Sequence, residues 1–158
     1  MKNRILWVNA ILFLFVFNYL IIQKEQLIAS GKEIYLELIP MDPRSLLQGD
    51  YMNLRYQITT ESSLKSEGSE DGFIIANLDV NKIATFRRIS SSTDTIGPDE
   101  IKIKYRRRGP TVKIATDAFF FQNGQAELYS KAKYGILKVD DDGEVILTGL
   151  ANKPGEKL

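Results

Sequence analysis

No cysteine and no histidine occur in the chain. Without cysteine there is no disulfide, no thiol nucleophile, no thiolate metal ligand and no lipid attached through a cysteine. Without histidine the usual general base near neutral pH and the commonest metal ligand are both missing. A Ser-His-Asp triad is therefore excluded, and a zinc site would have to be built from carboxylates alone. An excess of one charge is lacking as well, since 21 basic and 20 acidic residues nearly cancel. Residues 31–158 carry 18 basic and 19 acidic side chains, about −1 net, which is not the signature of a dedicated nucleic-acid binder. No cofactor-binding motif stands out, and the chain is read as working without a cofactor.

What the chain does have is an unbroken apolar run from Ile5 to Ile22, ILWVNAILFLFVFNYLII. Eighteen residues at about 1.5 Å each give about 27 Å of helix, close to the ~30 Å hydrocarbon core of a bilayer. Lys2 and Arg4 precede the run, whereas Lys24 and Glu25 follow it and cancel. A positive flank stays inside, so the expected topology is a single-pass anchor in a cytoplasmic (inner) membrane, N-terminus cytoplasmic and the remainder extracytoplasmic. A cleaved signal peptide fits less well, because the run exceeds 7–15 residues and the small cluster Ala29-Ser30-Gly31 begins late. Trp7 and Tyr19 lie near its ends, where amphipathic rings settle at the interface. Asn9 and Asn18 are nine residues apart, on opposite sides of the helix, and form no shared polar stripe.

Three segments follow: residues 1–30 as the anchor helix, 31–150 as one β-rich domain, and 151–158 as a polar tail. Gln23 to Lys32 continues the helix to a C-cap near Gly31. Ile34, Leu36 and Leu38 alternate with polar neighbours, predicting a half-buried strand that Pro40 ends. Asp42-Pro43 reads as a helix start and Gly49 as its end. From Tyr51 a period of two returns, with Met52, Leu54, Tyr56 and Ile58 on one face. Residues 59–72 are polar and predict a surface loop. Strands are expected over Phe73 to Val80, Ile83 to Ile89, Ile101 to Arg106, Val112 to Ile114 and Asp117 to Phe121, then a short helix over Ala126 to Lys133. Tyr134 to Val139 and Glu144 to Leu150 form a hairpin across Asp140-Asp141-Asp142-Gly143. The fold class is mainly β: one N-terminal transmembrane helix, then an antiparallel barrel or sandwich with one or two short helices.

The segment Gly49-Asp50-Tyr51-Met52-Asn53-Leu54-Arg55-Tyr56, preceded by Asp42-Pro43-Arg44-Ser45-Leu46-Leu47, resembles the signature of the bacterial GDYXXLXY family. All five fixed letters match: Gly49, Asp50, Tyr51, Leu54 and Tyr56. The likeness returns downstream in DAFFFQNGQAELYSKAKYGILKVDDDGEVILTGL. The resemblance implies one N-terminal anchor and an extracytoplasmic domain. It also implies a complex with an integral membrane protein, since some members are encoded beside multi-spanning proteins. It supplies almost no chemistry. Signal peptidases carry a similar Pro, short turn and Gly-Asp before a strand. Their nucleophilic Ser precedes that Pro, where Ile39, Pro40 and Met41 stand here, so the echo concerns scaffold rather than activity.

Asp42, Pro43, Arg44, Gly49, Asp50, Tyr51, Leu54 and Tyr56 are the motif positions with a binding reading. Cap, glycine and alternating aromatics are also what a demanding turn needs. Lys102, Lys104, Arg106, Arg107 and Arg108 form a basic cluster read as a surface for anionic headgroups or an acidic partner, or as a solvated face that discourages edge pairing. Asp140 to Asp142 lack the spacing of a calcium loop and read as a solvated turn. Phe119, Phe120 and Phe121 cannot all face one side, so one turns outward. The leading expectation is a non-enzymatic, membrane-tethered accessory or assembly protein acting through protein contacts. The alternatives are a peptidase-like hydrolase using Ser45 or the Asp42/Asp50 pair, and a lipid- or ligand-binding module with an apolar cavity; no spacing supports pairing Ser45 with Lys65 or Lys131.

Overall fold

The structure is a computed structural model, and it describes residues 2–39, 51–66, 70–90, 95–122 and 124–158. Helix α1 runs Lys2–Ser30 without a break and passes directly into strand β1, Lys32–Glu37. Within it Leu6–Ser30 is long and apolar enough to cross a membrane. Its side chains stand exposed along nearly the whole length, Trp7 and Phe15 among them. The Asn18 side-chain amide donates one N–H to the Leu14 carbonyl one turn back. Among its described side chains only Leu27, 4% exposed, is buried.

Gly31 closes the helix, its N–H donating to the Leu27 carbonyl at 2.9 Å. It does so without the left-handed φ of a usual glycine cap. Space is the reason for glycine instead: a Cβ there would lie 2.4 Å from the Leu27 carbonyl and 3.2 Å from Lys138 Cβ. Helix and sheet touch at that point.

Strands β2 (Tyr51–Asn53), β3 (Asp71–Leu78), β4 (Ala84–Ser90), β5 (Glu100–Arg108), β6 (Thr111–Lys113), β7 (Ala118–Phe120), β8 (Tyr134–Val139), β9 (Val145–Lys153) and β10 (Glu156–Lys157) follow. They form two four-stranded antiparallel sheets, β1-β8-β9-β10 and β4-β3-β5-β6, plus the pair β2-β7. The mainly β class read from the alternating pattern is what the chain adopts. Two seams join the sheets. Tyr35 N–H donates to Lys82 O at 2.9 Å, beside a parallel bridge between Tyr35 and Ile83. Lys104 N–H donates to Gly143 O at 2.7 Å, which seats the β8–β9 hairpin turn on β5.

Of two apolar clusters among the described residues, the larger fills the space between the sheets and the smaller gathers Tyr35, Ile136 and Ala151. Ile34 and Leu36 of β1, Leu137 and Val139 of β8 and Leu150 of β9 meet Ile74 of β3 and Ile103 and Tyr105 of β5. Tyr105 lies over its cross-strand partner Gly72, where any Cβ would come within 2.7 Å of the phenol oxygen. The glycine makes room for the ring.

Three elements differ from their sequence reading. Residues 57–66, expected in part as surface loop, form a 3-10 turn (Gln57–Thr60) and helix α2 (Ser62–Ser66). Leu64, the lone large apolar residue between Thr59 and Gly72, is fully buried and draws α2 onto the core. The helix expected over Ala126 to Lys133 is a four-residue turn, α3 (Ala126–Tyr129). The polar tail expected from Ala151 is strand: β9 runs to Lys153, and Gly155 (φ 83°) returns the chain as β10.

Candidate functional site

The second half of the octapeptide joins three parts of the domain. Leu54 and Tyr56 alternate inward, 6% and 2% exposed. Leu54 N–H donates to Asp117 O at 2.8 Å, and Ile39 N–H donates to Arg55 O at 2.8 Å. Leu38 and Tyr56 form an antiparallel bridge. The segment thus ties the end of β1 to the β6–β7 connection. The Tyr56 ring packs on Gly135 of β8, where a Cβ would sit 3.0 Å from the ring. Its hydroxyl donates to the Thr116 carbonyl at 3.3 Å. The Tyr56 carbonyl accepts from both the N–H and the hydroxyl of Thr59, at 3.0 and 2.7 Å. Burial first, then the Asp117 charge, pushes the Tyr56 phenol far above its ordinary value, so it stays protonated.

An open cleft of about 330 Å³ lies beside this segment, lined by Leu54, Arg55, Tyr56, Thr59, Lys113 and Asp117 among others. Lys113 and Asp117 form an ion pair across its rim, and that hydrogen bond is the main reason the Asp117 carboxyl sits below its usual range. Asp42, Pro43, Arg44, Ser45, Gly49 and Asp50 lie outside the described residues, and so does the Ser45 nucleophile reading. Of the motif, Tyr51, Leu54 and Tyr56 are described. The hydroxyls of Thr59, Thr116, Ser130 and Thr148 donate to main-chain carbonyls, whereas the buried Tyr105 hydroxyl has no hydrogen-bond partner among the described residues.

Tyr51 points the other way from Leu54. It pairs across β2-β7 with Phe120, ring centroids 5.8 Å apart. Phe120 is 76% exposed. Phe119 turns toward the core and meets Tyr129 edge-on at 5.1 Å, and Phe121 leans on the same ring at 5.0 Å. The run of three phenylalanines therefore splits, with Phe120 outward.

The basic cluster also divides by strand face. Lys102, Lys104, Arg106 and Arg108 share one side of β5, whereas Arg107 takes the opposite side. Lys102 Nζ sits 5.1 Å from the Phe73 ring centre. The others bound a pocket of about 400 Å³ lined by Lys24, Lys104, Arg106, Arg108, Lys113, Ala115, Glu144 and Val145. Asp140 shapes the turn that delivers Glu144 there: its Oδ1 accepts the Glu144 N–H at 2.8 Å, and Gly143 takes φ 83°. Glu144 then pairs with Lys104 and, at 3.7 Å, with Lys24 of α1. Lys104 above all holds its carboxyl below the usual range. Ala115 holds a left-handed φ of 51° at the pocket wall, a conformation costing a non-glycine residue about 1–2 kcal/mol.

Sequence reasoning placed Lys104, Arg106 and Arg108 together but missed Lys24, Lys113 and Glu144. Docking of the hairpin turn and of α1 brings those three in, and no local spacing encodes either contact. A second carboxylate, Glu100, is 8% exposed and held by Arg87 and Arg88, each 2.7 Å from Oε1. The β3–β4 register skips Arg87, which puts two consecutive arginines within reach of one acid. Among the described residues no cluster of three or more acidic side chains could hold a metal.

No curated protein and no solved structure matches the chain. A family model described as GDYXXLXY protein matches residues 13–150, from the middle of α1 to β9. The octapeptide, the split aromatic run and the closing hairpin thus fall within one matched span, and the chain belongs to the GDYXXLXY protein family.

Proposed function

We propose that this chain is a membrane-anchored accessory or assembly subunit whose β-domain stands on the extracytoplasmic side and contacts an integral membrane protein. The observation that carries the reading is the outward ring of Phe120, 76% exposed and backed by the half-buried Tyr51 on the β2-β7 ribbon. Exposed aromatic rings are enriched at the centres of protein interfaces. Helix α1, long and apolar enough over Leu6–Ser30 to cross a membrane, supplies the anchor. The positive flank of Lys2 and Arg4 supports a cytoplasmic N-terminus. The hydroxyls of Thr59, Thr116 and Ser130, each spent on a main-chain carbonyl, give the hydrolase alternative no support.

Site-specific photocrosslinking in native membranes tests the contact. A crosslinker at Phe120 is expected to capture one integral membrane protein. The same group at Val80, 97% exposed at the β3–β4 turn, is expected to capture none. Equal patterns at both positions, or none at 120, overturn the contact. Protease added to intact spheroplasts tests the topology; survival of the C-terminal domain overturns it.

A further inference from the structure

The structure points to a second site, which rests on α1 spanning a bilayer: we propose that the basic pocket under β5 binds the phosphate of an anionic lipid headgroup. Its place along the membrane normal follows from helix geometry. With Ile5 to Ile22 in the hydrocarbon, Lys24 sits about 3 Å beyond its edge at 1.5 Å per residue, inside the headgroup layer, which is on the order of 5–8 Å deep. Lys24 is itself a wall of the pocket, so Lys104, Arg106, Arg108 and Lys113 converge at the same level.

Charge and shape agree with such a guest. Five cations and one carboxylate line the pocket. Glu144 is engaged by Lys104 and Lys24, and Lys113 by Asp117. Arg106 and Arg108 are both exposed; Glu144 attracts Arg106 from beyond ion-pair distance, and among the described residues no carboxylate lies within that distance of either. Two guanidiniums are left facing a concave space of about 400 Å³, large enough for a small polar ligand. Guanidinium matches phosphate oxygens in a two-pronged fashion.

Native mass spectrometry of the full-length chain in a neutral detergent reads the site. The probes are phosphatidylglycerol, phosphatidylcholine and inorganic phosphate at equal concentration. The wild-type chain is expected to retain phosphatidylglycerol about tenfold more than phosphatidylcholine. The double variant Arg106→Gln/Arg108→Gln is expected to lose that preference, each charge contributing on the order of fivefold. Lys102→Gln, on the same strand but outside the pocket, is expected to keep it. Equal retention of both lipids by wild type, or an unchanged preference in the double variant with an unshifted melting temperature, overturns the site. If the double variant does not fold, Lys113→Gln takes its place under the same criterion. Displacement of phosphatidylglycerol by equimolar inorganic phosphate overturns the lipid as its source. Recovery of the chain in the soluble fraction without detergent is a separate outcome; it refutes the anchor itself and this site with it.

Discussion

If the second tyrosine of the octapeptide is a structural keystone, truncating it should strongly destabilise the domain while removing its hydroxyl alone should not. Tyr56 is 2% exposed and its ring rests on Gly135. Replacing a buried aromatic ring by a methyl group costs about 3–5 kcal/mol. The hydroxyl makes one long hydrogen bond of 3.3 Å to Thr116, worth about 0.5–1.5 kcal/mol and here at the low end. A domain of this size loses roughly 3–5 °C of melting temperature per kcal/mol. Tyr56→Ala should therefore melt roughly 10–25 °C below wild type, and Tyr56→Phe within about 5 °C, by circular dichroism of the full-length chain in detergent. Gly135→Ala, whose Cβ would come 3.0 Å from the Tyr56 ring, should cost about 1–3 kcal/mol alone and less in the Tyr56→Ala background. Equal losses for Tyr56→Ala and Tyr56→Phe would refute the packing argument. So would loss of partner crosslinking in a Tyr56→Phe variant that melts normally, because the phenol would then have a role in contact.

Two further outcomes follow from the joints of the fold. Gly31→Ala pushes a Cβ to 2.4 Å from a backbone carbonyl, so it should cost about 1–3 kcal/mol and open the chain near residue 31 to limited proteolysis; an unchanged cleavage pattern would count against the tight junction. The Glu144 and Glu100 carboxyls are both held below their ordinary value of 4.5, chiefly by Lys104 and by the Gly97 N–H followed by Arg88. A depressed carboxyl stabilises the fold above its unfolded value, and that stabilisation fades as pH falls through the folded one. Melting temperature should be flat above about pH 5 and decline below it, with Glu144→Gln less stable than wild type at pH 7 and converging with it near pH 3. Parallel curves over the whole range would refute the pairing.

The strands were legible because one face of each is buried: Ile101, Ile103 and Tyr105 alternate with Lys102, Lys104 and Arg106, and the buried set is the core set. Burial also followed the alternation of Leu54, Tyr56 and Ile58, although the ladder stops at Asn53 and the backbone tightens into a 3-10 turn. Leu64 was invisible as an anchor because one apolar side chain makes no period. The basic pocket was half legible for a related reason: a strand face announces itself by spacing, whereas the approach of Lys24 and Glu144 depends on contacts more than a hundred residues apart in sequence. The skipped register at Arg87 belongs to the same class, since nothing in Phe86-Arg87-Arg88 separates a bulge from regular strand.

A single residue stands between the last turn of α1 and the first strand, and Leu27 and Lys24, on one face of the helix, fasten its end to the globule. No slack tether exists there to decouple the two. A change in lipid thickness that alters the inclination of the rod must swing the whole head through the same angle, carrying Phe120 toward or away from whatever stands beside it.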